Sequence, residues 1–243
     1  MGSGADYALT IIVPVFNEQE NIPALERRLS AYLPECSVRA CVLFVNDGST
    51  DLSGARILEA CSRNTDFFYL DFPHNCGLSA ALKAGFDHAS SPLCGYLDAD
   101  LQTAPEDFEL LLSQIEGCAM VTGIRTDRKD SAWKRFQSRF ANAIRRAFTH
   151  DDIADTGCPL KLIRTSVARR LPAFRGMHRF LPALVQLDGG VVRQVPVRHF
   201  PRVAGTSKFG LRNRLAGPLA DCFALRWMRK RRLSYEVSQT NLP

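Results

Sequence analysis

Two acids separated by a single residue, Asp98 and Asp100, follow directly on the apolar run Leu93 to Leu97. Carboxylates this close at the end of a buried strand repel each other unless a cation lies between them. Oxygen donors alone, with the amide of Gln102 beside them, suit Mg2+ or Mn2+ better than zinc. Two further polar clusters end apolar runs in the same way: Pro14-Val15-Phe16-Asn17-Glu18 and Asn46-Asp47-Gly48-Ser49-Thr50-Asp51. Turn and cap chemistry accounts well for Ser49, Thr50 and Asp51. It accounts poorly for the acid pair. A hard cation beside such a cluster commonly bridges to phosphate oxygens. The chain carries neither G-x-x-x-x-G-K-[ST] nor G-x-G-x-x-G after its first apolar run, which argues against ATP hydrolysis and nicotinamide chemistry.

The elements that must position these clusters can be read from periodicity. Leu9 to Val15 is an unbroken, β-branched run too short for a helix, and Ile22, Leu25, Leu29 and Leu33 then recur at helical spacing. Strands are predicted at about 41–45, 67–72, 93–97 and 120–123, with helices over 52–62 and 78–88. A further helix opens at Pro105 with Glu106 and Asp107 in its first turn. This alternation predicts an α/β fold: a mostly parallel sheet with helices on both faces, and ligands at the carboxyl ends of its strands. Beyond residue 124 the rhythm loosens. A long basic helix is expected around Trp133, Phe136, Phe140 and Ile144, and short strands at 161–163 and 191–197.

The 46% hydrophobic and 23% charged residues are those of a globular domain. The longest apolar stretch, Ala8 to Phe16, is far short of the roughly 20 residues a membrane-spanning helix needs. Eight cysteines without a C-x-x-C pair point to reduced core thiols and a cytosolic compartment. Five histidines form no ligand set; His178 is the one of interest. The net charge of +6 is concentrated: Lys208 to Arg232 holds eight basic residues and one acid, so the rest sums to −1. Leu211, Leu215, Leu219, Cys222, Phe223 and Trp227 recur at helical intervals within that segment, and Gly217-Pro218 should split it into two short helices. A basic amphipathic element of this kind suits an anionic membrane surface; packing on its own domain or on a partner subunit is the alternative.

The ordered set Pro14, Asn17 and Glu18, then Asp47-Gly48-Ser49-Thr50-Asp51, Asn75-x-Gly77, Asp98-Ala99-Asp100-Leu101-Gln102 with Pro105, and Arg202-x-x-Gly205-x-Ser207-Lys208 resembles the inverting family-two glycosyltransferases of the GT-A fold. It is most similar to the dolichol-phosphate mannose synthase and bacterial polyprenyl-phosphate glycosyltransferase branch. The resemblance implies a Rossmann-like three-layer sandwich, with a catalytic domain over 1–210 and a basic C-terminal extension over 211–243. It implies that Pro14, Phe16, Glu18 and Asp47 hold the nucleotide, with Asp47 on the base and Glu18 on the ribose. Asp98, Asp100 and Gln102 would approach the metal and diphosphate. Arg125 would contact phosphate or acceptor, Asp155 would lie near sugar and acceptor, and Arg202, Ser207 and Lys208 would close over the phosphates. Phe16 stands where relatives often have Tyr, and Cys158 where they commonly carry an aromatic residue after the Gly of the acidic motif.

The implied reaction moves a sugar from a nucleoside-diphosphate donor to a polyprenyl phosphate, of undecaprenyl or dolichyl type, at the cytosolic membrane face. A divalent ion and basic groups would stabilise the leaving diphosphate, with inversion through an oxocarbenium-like state. A hydroxyl acceptor would need a general base, whereas a phosphate acceptor is already anionic and needs orientation. The rival readings are the same donor chemistry onto a sugar hydroxyl, and a non-catalytic basic binder of membrane or nucleic acid. No nucleic-acid module is recognisable in the chain, so no nucleic-acid partner is expected.

Overall fold

The computed structural model describes residues 6–126, 152–201, 216–233 and 239. The helix expected around Trp133 to Ile144, and Arg202, Ser207 and Lys208, lie outside the described residues. The first half alternates as the apolar runs require: β1 (Leu9–Val15), α1 (Ile22–Tyr32), β2 (Ala40–Asn46), α2 (Ser53–Arg63), β3 (Phe67–Asp71), α3 (Leu78–His88) and β4 (Leu93–Tyr96). A 3-10 turn at Pro105–Asp107 leads into α4 (Phe108–Leu112), followed by β5 (Met120–Arg125). Then come β6 (Lys161–Arg164), α5 (Thr165–Arg170), α6 (Leu181–Leu187), β7 (Val192–Val197) and α7 (Ala216–Arg231).

Seven described strands form one sheet in the order β3-β2-β1-β4-β6-β5-β7. Neighbouring pairs are parallel except those of β6, which runs antiparallel to both β4 and β5. From β1 the chain winds outward through β2 and β3, and then returns to place β4 on the other flank of β1. That reversal makes the carboxyl ends of β1 and β4 a topological switch point, where open α/β sheets bind ligands.

Both faces of the sheet are covered. Leu9, Ile11, Val13 and Val15 of β1 pack with Ile22, Leu25, Leu29, Ile57 and Phe108 on one side. Ile12 points the other way, into a cluster with Leu82, Phe86, Leu181 and Leu184, as the two-residue period of a strand demands. Phe44, Phe86 and Phe108 are fully buried, each contributing about 1.5–3 kcal/mol by removal from water. Gly85 lets α3 approach β1 closely: a Cβ there would lie 2.5 Å from Ile12 Cγ2.

Gly217 and Pro218 do not break α7, which runs continuously from Ala216 to Arg231; Leu211 and Leu215, expected in the preceding short helix, lie outside the described residues. Cys222 and Leu225 fix α7 to the same cluster as α3 and α6. No helix among the described residues is long and apolar enough to cross a membrane.

Candidate active site

The loops after β1 and β2 are laced together by the residues whose types suggested turns and caps. Asn17, in the left-handed region at φ 52°, donates its amide to Ser49 Oγ at 3.0 Å, and its Oδ1 accepts from Thr50 N at 2.8 Å. Glu18 N donates to Ser53 Oγ, and Asp51 accepts from Gln19 N and Ser53 N. The Glu18 carboxylate is aligned by Asn21 Nδ2 at 2.6 Å. Pro14 and Phe16 lie half-buried beside it.

Asp47 has a scaffolding task that its motif did not disclose. Its Oδ1 accepts from Cys76 N at 2.7 Å and its Oδ2 from Asn75 Nδ2 at 2.8 Å, with Gly77 N bridging both oxygens. The carboxylate therefore clamps the 75–77 loop that leads into α3. Burial pushes its pKa above the ordinary aspartate value, against the pull of these donors. Gly48 makes the clamp possible. It has φ 62°, and a Cβ on it would sit 2.2 Å from the backbone carbon of His74.

At the end of β4, Tyr96 Oη donates to Asp98 Oδ1 at 2.6 Å, and Asp100 Oδ1 accepts from Gln102 N at 3.1 Å. Between them and Gln102 lies Leu101 at φ 58°, a conformation that costs a bulky side chain about 1–2 kcal/mol and is typical of strain held at functional positions. Gln102 O in turn accepts from Phe200 N and lies 3.1 Å from His199 Nδ1, so the segment leading toward residue 202 is docked on the acid pair's turn. Asp98 is partly exposed yet tightly surrounded by protein. Desolvation, and then the charge of Asp100, push its carboxyl up to about 6. Such a pair is short of positive charge, and its hard oxygens fit a divalent ion. Among the described residues no third His, Cys, Asp or Glu completes a ligand set.

Arg125, at the end of β5, and Asp155 meet as a bidentate pair: Nε to Oδ2 and Nη2 to Oδ1 are both 2.8 Å. Their side chains are 15% and 9% exposed. Burial opposes the guanidinium charge, but the Asp155 carboxylate outweighs it and holds Arg125 above its ordinary value. The two residues expected to act separately on acceptor and sugar thus form one unit.

The sequence reading missed Lys161. It is 2% exposed, and its Nζ donates to the carbonyls of Thr156 and Cys158 while lying 5.7 Å from the Tyr96 ring centroid. Burial lowers its pKa, and the charges of Cys158, Asp155 and Asp98 act against that. A lone lysine inside the apolar run Leu160 to Ile163 was the available signal. His178 is held neutral, pushed down to about 3 by burial, and lies 2.8 Å from Ser79 Oγ at the start of α3. All eight cysteines are free; five are buried and Cys76 is exposed.

A parallel-rich sheet with its polar loops gathered at the carboxyl ends of β1 and β4, and an acid pair at the centre of that rim, are features of the GT-A architecture. The profile of the family described as glycosyl transferase family 2 matches residues 10–171. The chain belongs to that family. It is 32% identical over 203 residues to an undecaprenyl-phosphate 4-deoxy-4-formamido-L-arabinose transferase of Pseudomonas savastanoi pv. phaseolicola, covering 83% of this chain and 60% of that one. A similarly named protein of Edwardsiella ictaluri is 32% identical over 205 residues, covering 84% and 63%. The chain therefore spans somewhat under two thirds of these relatives' length. Among solved structures, glucosyl-3-phosphoglycerate synthase from Mycobacterium tuberculosis, in complex with Mn2+, uridine diphosphate and glucosyl-3-phosphoglycerate, superimposes with a TM-score of 0.67. Its sequence identity is 15%, over 92% of this chain and 80% of that one, a likeness of fold.

Proposed function

We propose that the protein transfers a sugar from a nucleoside-diphosphate sugar to a polyprenyl phosphate, with inversion at the anomeric carbon. The observation that carries this reading is the Asp98/Asp100 pair at the carboxyl end of β4, where burial and then the charge of Asp100 raise the Asp98 carboxyl. Asp98 and Asp100, with Gln102 beside them, would hold Mg2+ or Mn2+, which when bound would neutralise charge developing on the departing diphosphate. Pro14, Phe16 and Glu18 would cradle the nucleoside, against the loop that Asp47 clamps. Arg202, Ser207 and Lys208, outside the described residues, would close over the phosphates from the segment that follows Pro201.

The acceptor class is supported by the names of the relatives and by the chemistry of the Arg125–Asp155 unit. Both Asp155 oxygens already accept from Arg125, so Asp155 is suited to aiming a guanidinium rather than to removing a proton. A phosphate acceptor needs that aim; it is anionic near neutral pH and Arg offers it a forked donor. On this reading the enzyme would work at the cytosolic face of a membrane, where a water-insoluble acceptor is met.

The test is transfer of radiolabelled sugar from a panel of nucleotide sugars, with Mn2+, to undecaprenyl phosphate in detergent or to soluble sugars. Label in the lipid fraction, lost in Asp100→Ala protein of unchanged melting temperature, is the expected result. Label in the soluble glycan alone would replace the acceptor, and undiminished transfer by the variant would remove the acid pair from the mechanism.

A further inference from the structure

His178 has no part in holding the metal, the nucleoside or the phosphates, yet its setting is closely specified. It stands in the 3-10 turn Met177–Arg179, which follows Gly176 at φ 101°. Met177 and Phe180 are buried among side chains of α3 and α6, so the turn is anchored on both sides of the ring. His178 Nδ1 lies 2.8 Å from Ser79 Oγ, which also accepts from the Gly176 amide at 3.0 Å. Ser79 is 7% exposed, and among the described residues Nδ1 is the one acceptor for its hydroxyl proton. A buried donor left without an acceptor is costly, so the hydroxyl donates and Nδ1 accepts. Burial first, and then the charges of Arg179 and Lys161, keep the ring neutral. A neutral imidazole that accepts at Nδ1 carries its proton at Nε2. Nothing among the described residues accepts from that Nε2–H. Two neighbours place it at the ligand end of the sheet. Ser79 is in the first turn of α3, which joins two parallel strands and so starts at their carboxyl ends, straight after the Gly77 amide that Asp47 clamps. Lys161, whose charge reaches the ring, faces Tyr96 in the β4–β6 register, and Tyr96 holds Asp98.

We propose that His178 binds the sugar being transferred, donating from Nε2 to one of its hydroxyl oxygens. The inference rests on the transferase reading and adds to it a residue that recognises the sugar. The chemistry of the ring selects the ligand. The diphosphate and the acceptor phosphate are anions and call for cations. A fixed neutral donor adds no charge to the site and matches an uncharged hydroxyl. Because Ser79 locks the tautomer, Nε2 can only donate. A sugar without an oxygen at that position would leave the donor unmatched, and sites built to bond a hydroxyl reject analogues that lack it. His178 would therefore help to choose the sugar.

The experiment is calorimetric titration of the full chain, of His178→Leu and of His178→Gln, with Mn2+ present. The ligands are nucleoside diphosphates and a panel of nucleotide sugars. His178→Leu removes both ring nitrogens, whereas His178→Gln can accept from Ser79 through its carbonyl and still donate from its amide. In His178→Leu the nucleoside diphosphate Kd should be unchanged and that of the preferred nucleotide sugar about ten-fold weaker, the loss of one neutral hydrogen bond. His178→Gln should recover most of that loss. A deoxy nucleotide sugar lacking the partner hydroxyl should bind the parent and His178→Leu equally. In 15N spectra of the parent, the ring signals absent from His178→Gln should be those of the Nε2–H tautomer. Equal losses for both ligands, a His178→Gln no better than His178→Leu, a loss confined to the acceptor KM, or an Nδ1–H tautomer would each overturn the proposal. The tautomer is read on the parent, so it decides the matter even if His178→Leu fails to fold. A parent that binds nucleoside diphosphate but no nucleotide sugar would instead remove the transferase reading, and this inference with it.

Discussion

Replacing Asp98 by Asn should make the metal-free protein more stable while abolishing transfer. The argument starts from the carboxyl pushed up to about 6, against an ordinary aspartate value of about 3.9 in the unfolded chain. Because the folded value is the higher one, the folded state binds more protons than the unfolded chain between about pH 4 and 6. Stability must therefore fall as pH rises through that window and stay low above it. Two pKa units correspond to about 3 kcal/mol, and the partial exposure of Asp98 trims this to about 2 kcal/mol. Asn keeps the acceptor for Tyr96 Oη but never ionises, so it escapes the loss. At pH 8 the variant should melt about 4–8 °C above the parent, from about 2–4 °C per kcal/mol in a chain of this size. Near pH 4 the two should coincide. Differential scanning calorimetry across that range, in chelator, reads the effect directly. Adding Mn2+ with a nucleoside diphosphate should reverse the order by stabilising only the parent. A variant less stable than the parent at pH 8, or a gain equal at both pH values, would refute the claim that the acid pair is short of positive charge.

Gly48→Ala forces a Cβ to within 2.2 Å of His74 backbone and holds Ala at φ 62°. It should cost about 2–4 kcal/mol, and nucleotide affinity by calorimetry should fall at least ten-fold because the Asp47 clamp on residues 75–77 is displaced. Lys161→Met removes the ammonium from the Thr156 and Cys158 carbonyls at nearly constant volume. A buried charge is costly to desolvate, so the melting temperature should change little. The turnover number should drop ten-fold or more with donor KM retained, since the 156–158 loop adjoins Asp155, which aims Arg125; an equal loss in both parameters would contradict this.

The sheet was legible because its central parallel strands, covered on both faces, are apolar runs, as Leu9 to Val15 and Ala40 to Val45 show. The polar clusters were legible because ligand loops must sit where those runs stop. The direction of β6 was not, since four residues with a buried lysine carry no mark of orientation. Nor was the Arg125–Asp155 pair, whose members stand thirty positions apart. The Asp47 clamp was hidden for a related reason: its donors are two backbone amides and one side chain on a distant loop, and backbone amides leave no trace in residue type.

The charges gathered around the acid pair explain why these groups must act together. Asp98, Asp100 and Asp155 face Arg125 and Lys161, which leaves one negative charge in excess in a poorly solvated crevice. A divalent ion would turn that excess into a single positive charge, and a nucleoside diphosphate would more than cancel it again. Neither ligand alone suits the crevice, and each improves the fit of the other. Two carboxylates and an amide also fall short of the six oxygens a Mg2+ shell requires, and diphosphate oxygens are hard donors able to complete it. The charge still uncompensated after both had entered would be negative. On the proposed reading, Arg202 and Lys208, which come after the 199–200 segment docked on Gln102, would supply the additional cations once the donor is in place and not before.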